Sequence, residues 1–143
     1  MHEDIRTWIN NHDALARHLG IEITTISDGY AKATLPMAGH NCNGLGILHG
    51  AAIFALADVV FSAAAMSKGS TTVSIAASIN FIAPGTTGPF AAEARLMGES
   101  RKLCTIEVDV TDGTETLIAR FTGTSYKIGP RQPATAEPRR NAG

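Results

Sequence analysis

Hydrophobic and polar positions repeat with two different periods along this chain, and the change of period predicts its elements. Apolar residues recur at helical spacing over residues 3–19, which predicts one short amphipathic helix. After that the period becomes two and indicates about six strands, separated by turn sequences such as Asp112-Gly113. The four strands after residue 69 are expected to form consecutive hairpins. A mostly antiparallel sheet with helices on one face gives an α+β fold.

One apolar segment follows neither pattern. The stretch from Gly50 to Ser67 is almost wholly apolar or small, and its only charged residue is Asp58. Its 18 residues reach the lower limit of a membrane span, but a carboxylate at the bilayer centre costs about 2.5–3.5 kcal/mol. We therefore predict a helix over about residues 49–68 that protein surrounds on all sides, with a curved sheet around it.

Length and charge limit the possible functions. The 143 residues suffice for one domain, predicted over residues 1–129, and residues 130–143 contain no large apolar side chain and are expected to be a disordered tail. A net charge of −1 gives no broad basic field, so nucleic acid is not an expected partner. The first residues are polar and do not match a secretory signal. We expect a cytoplasmic protein that does not enter a membrane.

A loop rich in glycine and asparagine leads directly into the apolar helix and contains the candidate chemistry. The first N–H groups of a helix are unpaired and favour negative charge, and Gly50 would let a carbonyl oxygen approach them closely. Asn43 would donate a second hydrogen bond, and His49 would orient the loop or polarise the same carbonyl. Asp58 would then activate water or attack directly.

Each of these residues also has a purely structural interpretation. Asn43 is a common turn former, and His49 would serve as a helix cap. Gly50 would allow close helix packing, and Asp58 would pair with an arginine or with backbone N–H groups. The His and Cys residues nearby match no zinc-ligand spacing, so no metal site is expected.

The loop and helix resemble the PaaI-type hotdog-fold thioesterases. That family shows Asn-x-x-Gly-x-x-His-Gly-Gly, followed by an acidic residue nine positions after the histidine. The matching positions here are Asn43, Gly46, His49, Gly50 and Asp58, and Ala51 replaces the second glycine. The resemblance implies a hotdog fold, in which a curved antiparallel sheet of about six strands wraps around one long central helix, preceded by a short N-terminal helix.

The activity that the resemblance implies is hydrolysis of an acyl-CoA to the free acid and coenzyme A, with phenylacetyl-CoA or a hydroxylated aryl-CoA as substrate. The Gly50 N–H would be the oxyanion donor, helped by Asn43 and His49, and Asp58 the general base or nucleophile. Coenzyme A is then part of the substrate, and no cofactor is implied.

Four further positions come from the same resemblance. Ser74 matches a serine that places the water in mammalian relatives, although it also fits as an ordinary strand serine. Relatives contact coenzyme A through a basic turn and the end of the last strand, which correspond here to Arg101, Lys102 and Lys127.

The spacing of Gly50 and Asp58 predicts an assembly without help from the family. Eight residues along a helix span about 12 Å, whereas reacting groups approach to roughly 3–3.5 Å. An antiparallel helix from a second chain would bring its Asp58 to the first Gly50, so we predict a homodimer with two shared sites. The relatives pair such dimers into homotetramers. Two alternatives stay open: a hotdog acyl-thioester hydratase or dehydratase, and a non-catalytic acyl-CoA sensor.

Overall fold

A computed structural model describes residues 1–131 of the chain, and residues 132–143 of the predicted tail lie outside the described residues. The elements in chain order are α1 (His2–His12), α2 (Ala14–Leu19), β1 (Glu22–Ser27), β2 (Tyr30–Leu35), α3 (Gly50–Met66), β3 (Ser70–Phe81), β4 (Phe90–Glu99), β5 (Leu103–Thr111) and β6 (Leu117–Pro130). The predicted α+β fold, with a six-stranded antiparallel sheet and one long central helix, is confirmed. The last strand reaches Pro130, which is the first residue of the predicted tail.

The N-terminal segment contains two helices where the sequence predicted one. The break is at Asp13, whose extended backbone conformation ends α1. Its carboxylate accepts a hydrogen bond from Ala16 N at 3.0 Å and so caps α2. Aspartate favours this capping position over a helix interior because its side chain competes for backbone N–H groups. Apolar spacing alone does not reveal such a break.

The strand order in the sheet is β1-β2-β4-β5-β6-β3, with every neighbouring pair antiparallel. Strands β4, β5 and β6 form consecutive hairpins as predicted, but β3 pairs with β6 at the far edge. The prediction of four consecutive hairpins is therefore wrong for β3 and β4. Both sides of β4 are already occupied, by β2 and β5, so the chain crosses from β3 to β4 over residues 82–89.

The inner face of the sheet packs on α3, where Phe121 lies between Phe54 at 5.4 Å and Phe61 at 5.5 Å, measured between ring centroids. The stripe of α3 that begins beside this contact is not covered by other parts of residues 1–131. Phe54 is 36% exposed, and the neighbouring side chains of this stripe are exposed or half-buried: Ala51, Ala55, Asp58 and Ser62. The sequence analysis predicted a helix surrounded by protein on all sides. Residues 1–131 of one chain leave this stripe of the helix uncovered. No helix in residues 1–131 is long and apolar enough to cross a membrane.

The two edges of the sheet differ in how they are covered. At β1, the side chain of Asn10 on α1 accepts a hydrogen bond from Ile23 N at 2.8 Å and donates one to Ile23 O at 3.0 Å. The β3 edge has no neighbour among residues 1–131, and Val73 and Ile75 on it are 46% and 56% exposed. An open edge of 12 residues is a template for pairing with another strand.

We predict that Asn10→Ala lowers the free energy of unfolding by about 1–3 kcal/mol, because both polar groups of Ile23 then lose their partner. Urea unfolding at one fixed chain concentration measures this. Asn11→Ala is the matched control, since Asn11 is exposed and its side chain forms no hydrogen bond in the described part of the chain. Equal urea midpoints for the two variants would contradict the prediction.

Candidate active site

The loop before α3 is organised by Asn43. Its Oδ1 accepts a hydrogen bond from Leu45 N at 2.9 Å, and its carbonyl accepts one from Gly46 N at 3.0 Å. Gly46 has a φ of +75°, which favours glycine at this turn. Asn43 is therefore a turn former, as its structural interpretation predicted. Because Oδ1 serves the turn, the Nδ2 group is the part of the amide that can donate to a ligand.

His49 caps the central helix. Its Nδ1 accepts a hydrogen bond from Ala51 N at 2.9 Å, and its own backbone N–H donates to Asn41 O at 2.8 Å. An accepting Nδ1 carries no proton, so in the neutral ring the proton is on Nε2, which remains a donor. The capping interpretation of His49 is thus confirmed, and a contact from Nε2 to a carbonyl is compatible with it.

Gly50 is the first residue of α3, so its N–H precedes the hydrogen bonds within the helix. It lines a groove of about 280 Å³ together with Asn43, Ile53, Phe81 and Pro84. A Cβ added at Gly50 would meet the Phe81 ring at 3.4 Å, an ordinary contact distance. Packing therefore does not require a glycine at position 50. Its place in the groove explains the glycine better than close packing of the helix does.

Asp58 lies two turns further along α3 and is half-buried. Burial raises the pKa of its carboxyl above the ordinary value, and the negative charge of Asp13 raises it further. Among residues 1–131 neither an arginine nor a backbone N–H group pairs with this carboxylate, so the structural interpretation of Asp58 has no support there. A carboxylate whose pKa is raised by burial is a better proton acceptor than an ordinary one, which suits Asp58 to the role of a base.

A cleft of about 210 Å³ lies between α1 and α3, beside the turn of α3 that follows Asp58. Its walls are mainly apolar, with three polar side chains among them: Trp8, Ile9, Val59 and Met66, with His12, Asp13 and Ser62. The Trp8 and His12 rings are stacked, with centroids 5.7 Å apart and an interplanar angle of 22°. Such a cleft suits a flat apolar group with a polar substituent.

The structure keeps the predicted catalytic residues apart within one chain. Gly50 and Asp58 are on one uninterrupted helix, so about 12 Å separates them, as predicted. Ser74 is exposed on β3, whose end at Phe81 is the part that lies beside Gly50. Seven residues of strand correspond to about 23 Å, so Ser74 does not reach the groove of its own chain.

The three predicted coenzyme A contacts lie together at the other end of the sheet. Lys127 N donates to Lys102 O at 2.8 Å, and Lys127 Nζ binds Glu99 at 2.7 Å and the Ser100 carbonyl at 2.9 Å. Lys127 is thus already neutralised. Arg101 and Lys102 are exposed, with Lys102 Nζ 5.7 Å from the centroid of the Tyr126 ring, and neither has a carboxylate partner in residues 1–131.

Several residues of the site escaped the sequence analysis. Asn41 is 1% exposed, and its Nδ2 donates to Leu19 O at 2.9 Å, which ties the loop before α3 to the end of α2. Its turn-like sequence gave no sign of this burial. The residues of α1 that line the cleft showed only helical spacing in the sequence, which does not indicate a cleft. Arg131, whose backbone N–H donates to Gly69 O at 3.1 Å, was assigned to the tail. No group of three or more metal-ligating side chains comes together in residues 1–131.

A family model of the thioesterase superfamily matches residues 45–119, from the loop before α3 to β6. The chain belongs to the thioesterase superfamily. It is 31% identical over 130 residues to the acyl-coenzyme A thioesterase PaaI of Escherichia coli K12, covering 87% of this chain and 93% of that protein. The predicted thioester hydrolase is confirmed by these matches, in preference to the hydratase and sensor alternatives.

Solved structures agree with this assignment. The structure of the E. coli PaaI protein from the phenylacetic acid degradation operon matches with a TM-score of 0.86 and 28% identity, covering 90% of this chain and 94% of that chain. A Streptococcus mutans protein solved with bound acetyl CoA matches with a TM-score of 0.75 and 25% identity, covering 78% and 91%. The PaaI-type hotdog fold predicted from the sequence is therefore confirmed.

We predict that Asp58→Asn raises the thermal unfolding midpoint of this thioesterase at pH 7. The folded-state pKa of Asp58 is raised, so as pH increases from about 4 the unfolded chain ionises first and ionisation favours unfolding. The penalty is complete above the folded-state pKa, and asparagine removes it. The gain should therefore shrink as pH falls towards 4.

Asp28→Asn is the control with the opposite sign, because the hydrogen bond from Lys68 lowers the pKa of Asp28. Its ionised form favours the folded state, so this variant should lose stability at pH 7. Thermal unfolding of both variants between pH 4 and pH 7 measures the two trends. A loss of stability in Asp58→Asn at pH 7 would contradict the conclusion that folding disfavours the ionised form of Asp58.

Proposed function

We propose that this thioesterase hydrolyses an acyl-CoA to the free acid and coenzyme A at two sites, each shared between two chains of a homodimer. The observation that carries the proposal is the separation of about 12 Å between Gly50 and Asp58 on one rigid helix. One chain cannot apply both groups to one carbonyl carbon. A second chain, antiparallel to the first along α3, supplies the missing group.

Two uncovered surfaces of the chain support this dimer. The open edge of β3 can pair with the same edge of a second chain, and the exposed stripe of α3 around Phe54 can pack on its own copy. A two-fold axis satisfies both surfaces at once and makes every contact twice, which gives two identical sites. Pairing of such dimers into tetramers, as the resemblance implies, completes the proposed assembly.

Contacts inside one chain support a position for the proposed axis. Phe54 is midway between Gly50 and Asp58, and its ring packs on Phe121, which pairs with Ile79 on β3. An axis near Phe54 therefore passes close to Ile79. In antiparallel pairing about that point, Ser74 of the partner subunit, five residues before Ile79, lies level with Pro84, a residue of the groove at Gly50. Ser74 then acts beside the other chain's groove.

The reaction proceeds as follows in this arrangement. The thioester carbonyl oxygen accepts hydrogen bonds from the Gly50 N–H and the Asn43 amide, with the His49 Nε2–H beside them, where the helix dipole favours the developing negative charge. Asp58 of the partner subunit takes a proton from water as the water oxygen bonds to the carbonyl carbon, with the partner's Ser74 orienting that water. The C–S bond then breaks and the coenzyme A thiolate leaves with the proton returned to it.

The same geometry also accommodates direct attack by the Asp58 carboxylate, which forms a transient anhydride that water hydrolyses. The raised pKa of Asp58 favours the general-base route, because a base works best when its pKa approaches the working pH. Neither route needs a metal or redox cofactor, since coenzyme A enters as part of the substrate. The basic turn at Arg101 and Lys102 binds its phosphates, and Lys127 braces that turn.

We further propose an aromatic acyl group, as in phenylacetyl-CoA or a hydroxylated aryl-CoA. The cleft beside Asp58 has the stacked Trp8 and His12 rings in its wall, together with the Asp13 carboxylate. An aryl ring packs well against such a wall, and a ring hydroxyl finds polar partners there. The similarity to E. coli PaaI, a protein from the phenylacetic acid degradation operon, supports a role in the breakdown of aromatic acyl-CoA esters. We propose that this role is cytoplasmic.

Complementation between two inactive variants tests the shared site. Gly50→Pro removes the N–H donor at the first helical position, where proline is tolerated, and His49 already has the extended conformation that precedes proline. Asp58→Asn removes the base. Each variant alone should lose at least about 10²-fold in kcat, the usual loss on removal of an oxyanion donor. Mixed equally and refolded together, they should regain about a quarter of the wild-type activity, since half of the dimers then have one intact site.

The separately refolded variants are the control for this experiment, and two different affinity tags report how many mixed dimers form. Mixed dimers that are present but inactive would overturn the shared site.

Trp8→Leu tests the acyl assignment. We predict that kcat/KM falls about threefold to tenfold for phenylacetyl-CoA, as expected for the loss of an aromatic contact, and stays nearly constant for butyryl-CoA. Thr7→Ala, an exposed neighbour on α1, is the matched control. An equal loss for both substrates would show that the cleft does not receive the acyl group.

A further inference from the structure

Two histidines outside the proposed active site lie side by side on the surface. His18 is on α2, and His40 is in the short turn Gly39–Asn41 that precedes α3. Their ring centroids are 6.0 Å apart and the planes of the rings meet at 51°. Both side chains are exposed. The sequence analysis expected no metal site from residue spacing, but two ligands on separate elements have no spacing that would reveal them.

These two histidines differ from the others in the chain. His2, His12 and His49 each have a ring nitrogen within hydrogen-bond distance of a backbone group. Within residues 1–131, neither His18 nor His40 forms a side-chain hydrogen bond or an ion pair. The pair that lies together is thus the pair whose ring nitrogens the described chain leaves available as ligands.

The backbone that carries the two rings is held in place. The residue after each histidine takes part in one hydrogen bond between the two segments, in which Asn41 Nδ2 donates to Leu19 O at 2.9 Å. Asn41 is 1% exposed, and its backbone N–H donates to Ala38 O at 2.9 Å to close the turn. Ligands on a fixed backbone lose less conformational entropy when they bind an ion than ligands on mobile segments do.

The distance between the rings suits a single ion. A Zn–N bond is about 2.0–2.1 Å long and a ring nitrogen lies about 1.1 Å from the ring centroid, so each centroid would be about 3.2 Å from the ion. The centroids of two rings on one ion are then at most about 6.4 Å apart, and the 6.0 Å between His18 and His40 is within that limit. A small rotation of these exposed side chains brings one nitrogen of each ring to the ion.

The donor set selects a class of metal. Imidazole nitrogen suits Zn²⁺, Ni²⁺ and Cu²⁺, whereas Mg²⁺ and Ca²⁺ require oxygen ligands. No third histidine, cysteine or carboxylate joins the pair in residues 1–131, so water would complete the coordination. Two protein ligands with open positions favour a reversibly bound ion over a permanent structural one.

We propose that His18 and His40 bind one divalent transition-metal ion such as Zn²⁺, and that this ion ties α2 to the turn before α3. The ion takes no part in the proposed hydrolysis. It acts on the segment that leads to the active site, because the Asn41 carbonyl in the same turn accepts a hydrogen bond from His49 N at 2.8 Å. An ion that binds the folded chain and not the separated segments stabilises the fold.

Zinc binding by the full chain, prepared without a histidine tag, tests the proposal. ZnCl₂ is titrated into the protein in a calorimeter, and thermal unfolding is followed with and without it. We expect one ion per chain and a rise of about 5 °C or more in the unfolding midpoint at a zinc concentration about 100-fold above Kd. MgCl₂ at the same concentration should leave the midpoint unchanged.

Single variants assign the ion to its ligands. His18→Gln and His40→Gln should each weaken zinc binding at least about tenfold and remove most of the rise in the midpoint. His2→Gln is the matched control and should bind zinc as the wild type does. Because the two rings are exposed and make no hydrogen bond in residues 1–131, both variants should unfold at the wild-type temperature in the absence of zinc.

Three results would overturn the proposal. The first is a wild-type protein that binds no zinc. The second is binding that persists in both His18→Gln and His40→Gln, which would place the ion elsewhere. The third is one ion for every two chains, which would place the ligands in different subunits.

Discussion

The rise of 1.5 Å per residue in α3 is the constraint on which the rest of this structure depends. It fixes the donor at Gly50 and the carboxylate at Asp58 about 12 Å apart and on a rigid element, which positions each group well but keeps them from one carbonyl. No rearrangement of loops changes that distance. The proposed dimer therefore brings a second helix to the first, and the exposed stripe around Phe54 and the open edge of β3 are the features that such a contact requires.

The two exposed features would be liabilities in an isolated chain. A long unpaired edge with Val73 and Ile75 exposed invites uncontrolled strand pairing, whereas the other edge is closed by the side chain of Asn10. Asp58 also lowers the stability of the folded chain. Burial opposes the ionisation of its carboxyl, and no cation or N–H group in the described residues compensates for this. The open strand edge and the buried carboxylate are both explained if function requires an uncovered surface for a second chain and a carboxylate with a raised pKa. The rest of the sheet then supplies the stability.

Sequence patterns predicted the elements that have a strong local signal. They missed features that depend on a choice between two local structures or two strand partners. The run from Gly50 to Met66 has no polar face, so its helix and its central place followed from its apolar composition. The first predicted helix is interrupted at Asp13 because its carboxylate caps the next helix. Strand β3 lies at the edge of the sheet because β4 is paired on both sides with other strands. Candidate residues in the loop were recognisable from their spacing. The aromatic cleft of α1 was not, since it exists only where α1 meets α3.

Lys127 shows why a residue type at a matching position does not determine its role. By sequence it is equivalent to Arg101 and Lys102, all three being cations near the ends of late strands. In the structure its ammonium group is held by Glu99 and the Ser100 carbonyl, so moving it to a phosphate would cost two charge-assisted hydrogen bonds and leave Glu99 with Lys68 at 3.9 Å as its remaining cation. The same ion pair fixes the turn from which its two neighbours project. The chain thus uses one cation to position the others, and the distinction depends on where the nearest carboxylate lies.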